Sequence, residues 1–295
     1  MKKNTKQKYT FVIACLVVPV ILLCLFVLYP MYNLLEMSFT DWDGVEVKKN
    51  FIGIKNYTDM LFNSPDVWLA LRNNAIYFFT SLLFVPLEIL LAVMFSSAFT
   101  GKKFFRGITF LPYILNSVAI GYAFAYFLSP LNGGLNNALK LVGLEGFIQN
   151  WLSDEKIVNF VLALIVVWRF SGYHIIIFIA ALTSVSKDLT EAAAIDGANA
   201  WQIFRHIQVP SISLVIDFIL FTNVVGSLQS FDIPFVMTGG GPDGATKTFT
   251  LHTLDTAFTY DDFGMAATMA IMMIVLIVLV YSVQNFIVKK CRGEK

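Results

Sequence analysis

Residues 11–32 read FVIACLVVPVILLCLFVLYPMY, twenty-two positions with no acid, base or histidine among them. A helix rises 1.5 Å per residue, so about 20 such positions cross the hydrocarbon of a bilayer. Only a helix or a closed barrel satisfies its own backbone there. Lys2, Lys3, Lys6 and Lys8 precede the run, as basic residues precede the apolar core of a secretory signal. The run is too long for such a core, however, and no small-x-small cleavage site follows Tyr29-Pro30-Met31-Tyr32. It reads as a membrane anchor.

Working outward, five further stretches have the same character, at about 75–99, 108–128, 157–182, 212–234 and 265–288. The fourth is interrupted by Trp168-Arg169 and Ser171-Gly172, and the fifth holds Asp217 and Asn223, polar groups expected to face other helices or a pathway. Composition agrees: 57% of the 295 residues are apolar and 14% charged, against about 25% charged in soluble domains. The 28 phenylalanines argue against disorder. A net charge of +1 gives no overall basic balance for nucleic acid. Cys15, Cys24 and Cys291 read as free thiols. The expected fold class is all-α integral membrane protein, one transmembrane domain over 1–295 with six transmembrane helices.

Basic residues set the orientation. The N-terminus, the 100–107 loop, the segment between spans four and five, and the tail together carry thirteen lysines and arginines. Their acids are Asp188, Glu191, Asp196 and Glu294. The opposite segments, about 33–74, 129–156 and 235–264, carry seven basic residues diluted by Asp and Glu. Both termini are expected to be cytoplasmic.

The loop over 184–210 is long enough to have its own structure. Asp188-Leu189-Thr190-Glu191 reads as a capping box, with Asp188 at the N-cap. The helix formers Glu191-Ala192-Ala193-Ala194 follow, and Gly197 supplies the stop. Asn199-Ala200-Trp201-Gln202 repeats the cap for a second short helix, expected to end near Val209 because Pro210 follows. A lipid-surface helix would present basic residues and large apolar anchors. Alanines flanked by acids suit instead the close approach of another protein.

Glu191-Ala192-Ala193, Asp196-Gly197-Ala198, Ile207 and Pro210 together resemble the EAA motif of the membrane subunits of binding-protein-dependent ABC importers. Within that group the chain resembles sugar permeases related to the larger maltose-transporter subunit. The likeness rests on Ser38-Phe39-Thr40-Asp41-Trp42, Phe51-Ile52-Gly53 with Asn56-Tyr57, and Phe231-Asp232-Ile233-Pro234 through Gly241-Pro242. The extra N-terminal spans and large periplasmic insertion of the maltose subunit are lacking. The resemblance implies an ABC type I importer-like transmembrane domain in a bacterial inner membrane, working by alternating access. It implies that the ATPase coupling residues Glu191, Ala192, Ala193, Asp196, Gly197 and Pro210 form a coupling helix held in a cleft of the ATP-binding subunit. The implied partners are two ATP-binding subunits, a second permease subunit in a heterodimer, an extracytoplasmic solute-binding protein and a carbohydrate, an oligosaccharide in particular. The chain itself is then no enzyme, and ATP and Mg belong to the partner ATPase.

Other constellations carry less. Gly239-Gly240-Gly241-Pro242-Asp243-Gly244 lacks the Gly-Lys-Ser/Thr ending of a phosphate loop and reads as a turn. His174, His206 and His252 have no metal-ligand spacing. Glu88, Arg169 and Asn223 lie roughly 15–20 Å into their spans. An unpaired charge there costs at least about 2.5 kcal/mol, so a structural intramembrane pair of Glu88 with Arg169 is expected. For a sugar pathway, which needs hydrogen-bonding groups and aromatic faces, the candidates are Trp168, Tyr173, Asn223, Gln229, Ser230 and Phe231. Asp41, Trp42 and Asp43 are expected to shape the surface that receives the binding protein. Three alternatives remain open: a permease for glycerol phosphate esters, which would want more cations than Arg169, an ion-coupled secondary transporter using Glu88, and a membrane-bound enzyme or scaffold.

Overall fold

The computed structural model describes residues 2–46, 48–96 and 101–292. Apart from one isolated antiparallel bridge between Thr40 and Phe51, the described residues form helices and turns. Five helices are long and apolar enough to cross a membrane: Phe11–Met37, Pro65–Ser96, Val158–Thr183, Ser213–Thr238 and Phe263–Lys290. A sixth is reached only if Lys102–Ile114 and Ser117–Phe127 count together, and they are bent by 97°.

In chain order the elements begin with α1 (Lys2–Leu23), α2 (Tyr29–Met37) and α3 (Lys55–Thr58), followed by the long α4 (Pro65–Ser96). Next come α5 (Lys102–Ile114), α6 (Ser117–Phe127), α7 (Gly134–Leu141) and α8 (Val158–Thr183). The segment after α8 holds α9 (Lys187–Ile195), α10 (Ala200–Ile203) and α11 (Val209–Ser211). The remainder is α12 (Ser213–Leu228), α13 (Asp232–Thr238), α14 (Phe249–Phe258) and α15 (Phe263–Arg292).

Three sequence expectations change here. The second span begins at Pro65, ten residues earlier than expected, while its expected end at 97–99 lies outside the described residues. The third span is not one helix. Pro112 sits in the last turn of α5, Leu115 is extended (φ −69°, ψ 146°), and Asn116 restarts the chain as the N-cap of α6. Its side-chain oxygen accepts the Val118 and Ala119 amides at 2.8 and 3.4 Å, which satisfies donors the break would otherwise orphan. The fifth span pauses at residues 229–231, between α12 and α13.

The expected helix end near Val209 does not occur either. A π-turn over Phe204–Gln208 lets the Val209 amide donate to the Phe204 carbonyl, and the helical path runs on to Ser211. The same device, Cys24–Leu28, precedes Pro30. A proline lacks the N–H and its ring crowds the carbonyl four residues back; a widened turn just before it relieves both demands.

The chain divides into two compact units, Met1–Ser64 with Thr253–Val275 and Pro65–His252 with Leu276–Lys295. In the first, the chain itself buries none of the apolar window of Phe11–Met37. Asn56 is buried and donates to the Ser38 and Thr40 carbonyls at 3.2 and 2.8 Å, and Thr268 donates to the same Ser38 carbonyl at 2.9 Å. These bonds fix the segment that follows α2. Within it the Glu46 and Val45 amides donate to the Asp43 carboxylate, which holds it below the usual carboxylate range.

In the second unit α4 crosses α8, and their shared core includes Val85, Ile89, Ala92, Ile175, Phe178 and Ile179. Between helices in lipid there is little hydrophobic gain, so close approach and hydrogen bonds hold them. Gly172 provides the approach: a Cβ there would collide with the Thr109 carbonyl of α5. Asn74, wholly buried, provides the bonds. Its amide donates to the Ser227 and Leu228 carbonyls at 2.6 and 3.1 Å, and its oxygen accepts the Phe249 amide at 2.7 Å. One side chain thus ties α4 to the end of α12 and the start of α14. Asn73 beside it donates to the Gly244 and Lys247 carbonyls, fastening the glycine-rich turn.

Candidate functional site

Two regions concentrate the residues singled out in the sequence. The first is the segment after α8. Its helix α9 is capped by Ser186, whose hydroxyl accepts the Asp188 amide at 3.2 Å, so the N-cap lies two residues before the expected Asp188. The stop is as expected. Gly197 takes φ +87°, the Ala198 amide donates to Ala193 and the Gly197 amide to Ala194, which is the paired bonding of a Schellman end. The next cap is a reciprocal box: the Gln202 amide donates to the Asn199 side chain at 2.9 Å, and the Asn199 amide to the Gln202 side chain at 2.8 Å.

These closed ends make α9 stiff, yet the helix buries nothing within the chain. Glu191, Ala192, Ala194 and Asp196 are exposed, and Ile195 is 86% exposed. Ala193 is half-buried beside a groove that also involves Gly197, Gln202 and Ile207. Val185, Phe204 and Val209 pack on the α4–α8 core and root the segment at both ends. Pro210 is exposed on α11. α9 is thus a short helix that presents alanines, an isoleucine and two acids, rooted at both ends and left uncovered by the chain.

The second region lies between the spans. Glu88 on α4 is 3% exposed; one carboxylate oxygen accepts the Ser171 hydroxyl at 2.7 Å and the other meets His174 Nδ1 at 3.0 Å. Arg169 instead faces Asp232 at the start of α13, 3.7 Å away. The expected Glu88–Arg169 pair is therefore replaced by two separate pairings. The reason is rotation about α8. At 100° per residue, Ser171 and His174 share one face and Arg169 lies on roughly the opposite one.

Glu88 and His174 line a cavity of about 110 Å³ with Phe170, Tyr173, Asn223 and Ser227. The Asn223 amide nitrogen is buried and has no partner, although a buried polar group is normally bonded. Of the expected pathway residues, Tyr173 and Asn223 come together here. Trp168 packs edge-on against Phe124, Phe231 stacks on Phe235, and Gln229 and Ser230 lie at the pause between α12 and α13. Ser171 and His174 were missed as partners of Glu88. Their three-residue spacing on one span was the available signal.

Residues 6–293 match the family described as the binding-protein-dependent transport system inner membrane component. The chain belongs to that family. It is 33% identical to the lactose transport system permease protein LacF of Rhizobium radiobacter, over 90% of this chain and 89% of that one. It is 31% identical to the diacetylchitobiose uptake system permease protein NgcF of Streptomyces coelicolor, over 99% and 86%. Its fold is that of a chain in the crystal structure of a bacterial alginate ABC transporter in complex with an alginate pentasaccharide-bound periplasmic protein, with TM-score 0.84, 23% identity and 99% and 98% coverage. Members of this permease family are membrane components of ABC importers and are not themselves catalytic. For this permease the exposed helix α9 and the cavity that holds Glu88, His174 and Asn223 are the two features to be given roles.

Proposed function

We propose that this permease is one half of the translocation path of an ATP-driven importer for a carbohydrate, an oligosaccharide in particular. The observation that carries the proposal is α9, a rigidly capped helix that the chain leaves uncovered. In the proposed assembly both termini and α9 lie in the cytoplasm of a cell-membrane protein with six spans, the bent α5–α6 pair forming the third. Each of two ATP-binding subunits, carrying the ATP and Mg, grips one permease, and α9 is the part of this chain that is gripped. A second permease completes the path, and a solute-loaded binding protein docks on the outer segments. Closure of the ATPases around ATP moves α9 as a unit, because Ser186 and the Gly197 turn fix its ends. Its roots on the α4–α8 core then pass the movement to the spans. The spans rock to expose the cavity first outward and then inward.

Support for a sugar substrate comes from the named relatives, which import lactose and diacetylchitobiose, and from the cavity's chemistry. The unpartnered Asn223 amide offers a hydrogen-bond donor to a hydroxyl, and Tyr173, stacked on Tyr113, lines the same space.

The test is Glu191→Lys. Placed against a basic cleft, the reversed charge is expected to abolish transport, while the variant still inserts and assembles in the membrane. Wild-type uptake by that variant would remove the docking role assigned to α9.

A further inference from the structure

We infer that the cavity between α4, α8 and α12 selects against anions, so that the substrate class is an uncharged glycan and not a uronate, sulfonate or phosphate ester. This rests on the sugar-importer reading above and narrows it. The cavity lining contains one carboxylate, Glu88, one imidazole, His174, and no lysine or arginine among the described residues. Glu88 and His174 are held together at 3.0 Å. The lining therefore offers no lysine or arginine charge to receive an anion, and its carboxylate is already engaged by Ser171 and His174.

Arg169, outside the lining, adjoins the cavity through Phe170, over whose ring its guanidinium sits at 5.3 Å. It is neutralised by Asp232 at 3.7 Å. The remaining groups are suited to hydroxyls: the orphaned Asn223 amide, Ser227 and the Tyr173 ring. An anion entering this space would lose its hydration beside a negative or neutral wall, whereas a neutral sugar exchanges water for equivalent hydrogen bonds.

The experiment reads the charge of the cavity without needing to know the sugar. Cys15, Cys24 and Cys291 are replaced by serine, and a single thiol is placed by Gly226→Cys, where a Cβ meets open space. Thr222→Cys serves as a second position in the same lining. The complete importer is reconstituted with its ATPase and binding protein and cycled with ATP. Cationic and anionic methanethiosulfonate reagents are compared, each rate divided by that for a small thiol in solution. The expected normalised rate for the anionic reagent is lower by about tenfold, as for an anion brought out of water beside a lining that holds a carboxylate and no lysine or arginine. Asp232→Asn, which releases Arg169, is expected to narrow that ratio. An anionic reagent that reacts as fast as the cationic one would overturn the charge selection and leave the sugar route standing. Failure of both reagents at both positions, with an exposed control thiol reacting, would take away the water-filled route and the inference with it.

Discussion

At position 74 a single asparagine does what three separate contacts would do elsewhere. Asn74 is 0% exposed and bonds to two carbonyls at the end of α12 and to the amide that opens α14. Asn74→Ala would remove the bonds from the Asn74 amide to the Ser227 and Leu228 carbonyls and the acceptor for the Phe249 N–H, at a cost of about 2 kcal/mol. A lowered midpoint of thermal unfolding in detergent is the expected result, with α4 still helical; an unchanged midpoint would contradict the role. That residue gave no signal in the sequence, because a polar side chain near the end of an apolar run reads as an interfacial group. The Glu88 pairing failed for a related reason. Depth in the bilayer follows from counting residues, but the direction a side chain faces depends on how each helix is rotated, and Arg169 points away from the face that carries Ser171 and His174.

Among the elements, α9 was the most legible, since its stop depends on local chemistry that the chain spells out: Gly197 takes φ +87° with nothing within 4 Å of its Cβ position. Gly197→Val should therefore cost conformational strain and no steric clash, bending or fraying the end of the helix. The expected consequence is weaker stimulation of the ATPase by the loaded binding protein, with the importer still assembled; unaltered stimulation would show that the shape of this turn does not matter. The start was misplaced by two residues because Ser186 and Asp188 are both good caps, and the backbone at Ser186 (φ −59°, ψ 129°) decides between them. The broken third span was harder to see. Its two halves are similarly apolar, and only Pro112 and Asn116 mark the bend, each of which occurs in unbroken helices too. Pro210 erred in the other direction, because the π-turn before it is set by backbone accommodation and has no residue signature of its own.

For the whole molecule, the apolar runs were enough to announce an all-helical membrane protein, and the family match over residues 6–293 sets it among importer permeases. What runs of apolar residues do not specify is how the helices meet. Those contacts come from small residues such as Gly172 and from buried amides, which contribute little to hydropathy. The same limit applies to partners. The chain buries none of the apolar window of Phe11–Met37, a surface that bilayer lipid can cover, and leaves Ile195 of α9 86% exposed, the surface that the proposed ATP-binding partner would cover. The account stands or falls on what covers α9. The direct measurement is site-specific crosslinking from Ile195→Cys in the complete importer, using a short thiol-reactive photoprobe and identifying the product by mass. The account predicts a crosslink to the ATP-binding subunit whose yield changes between nucleotide-free and ATP-bound states. Crosslinks to lipid alone, or none that respond to nucleotide, would contradict it.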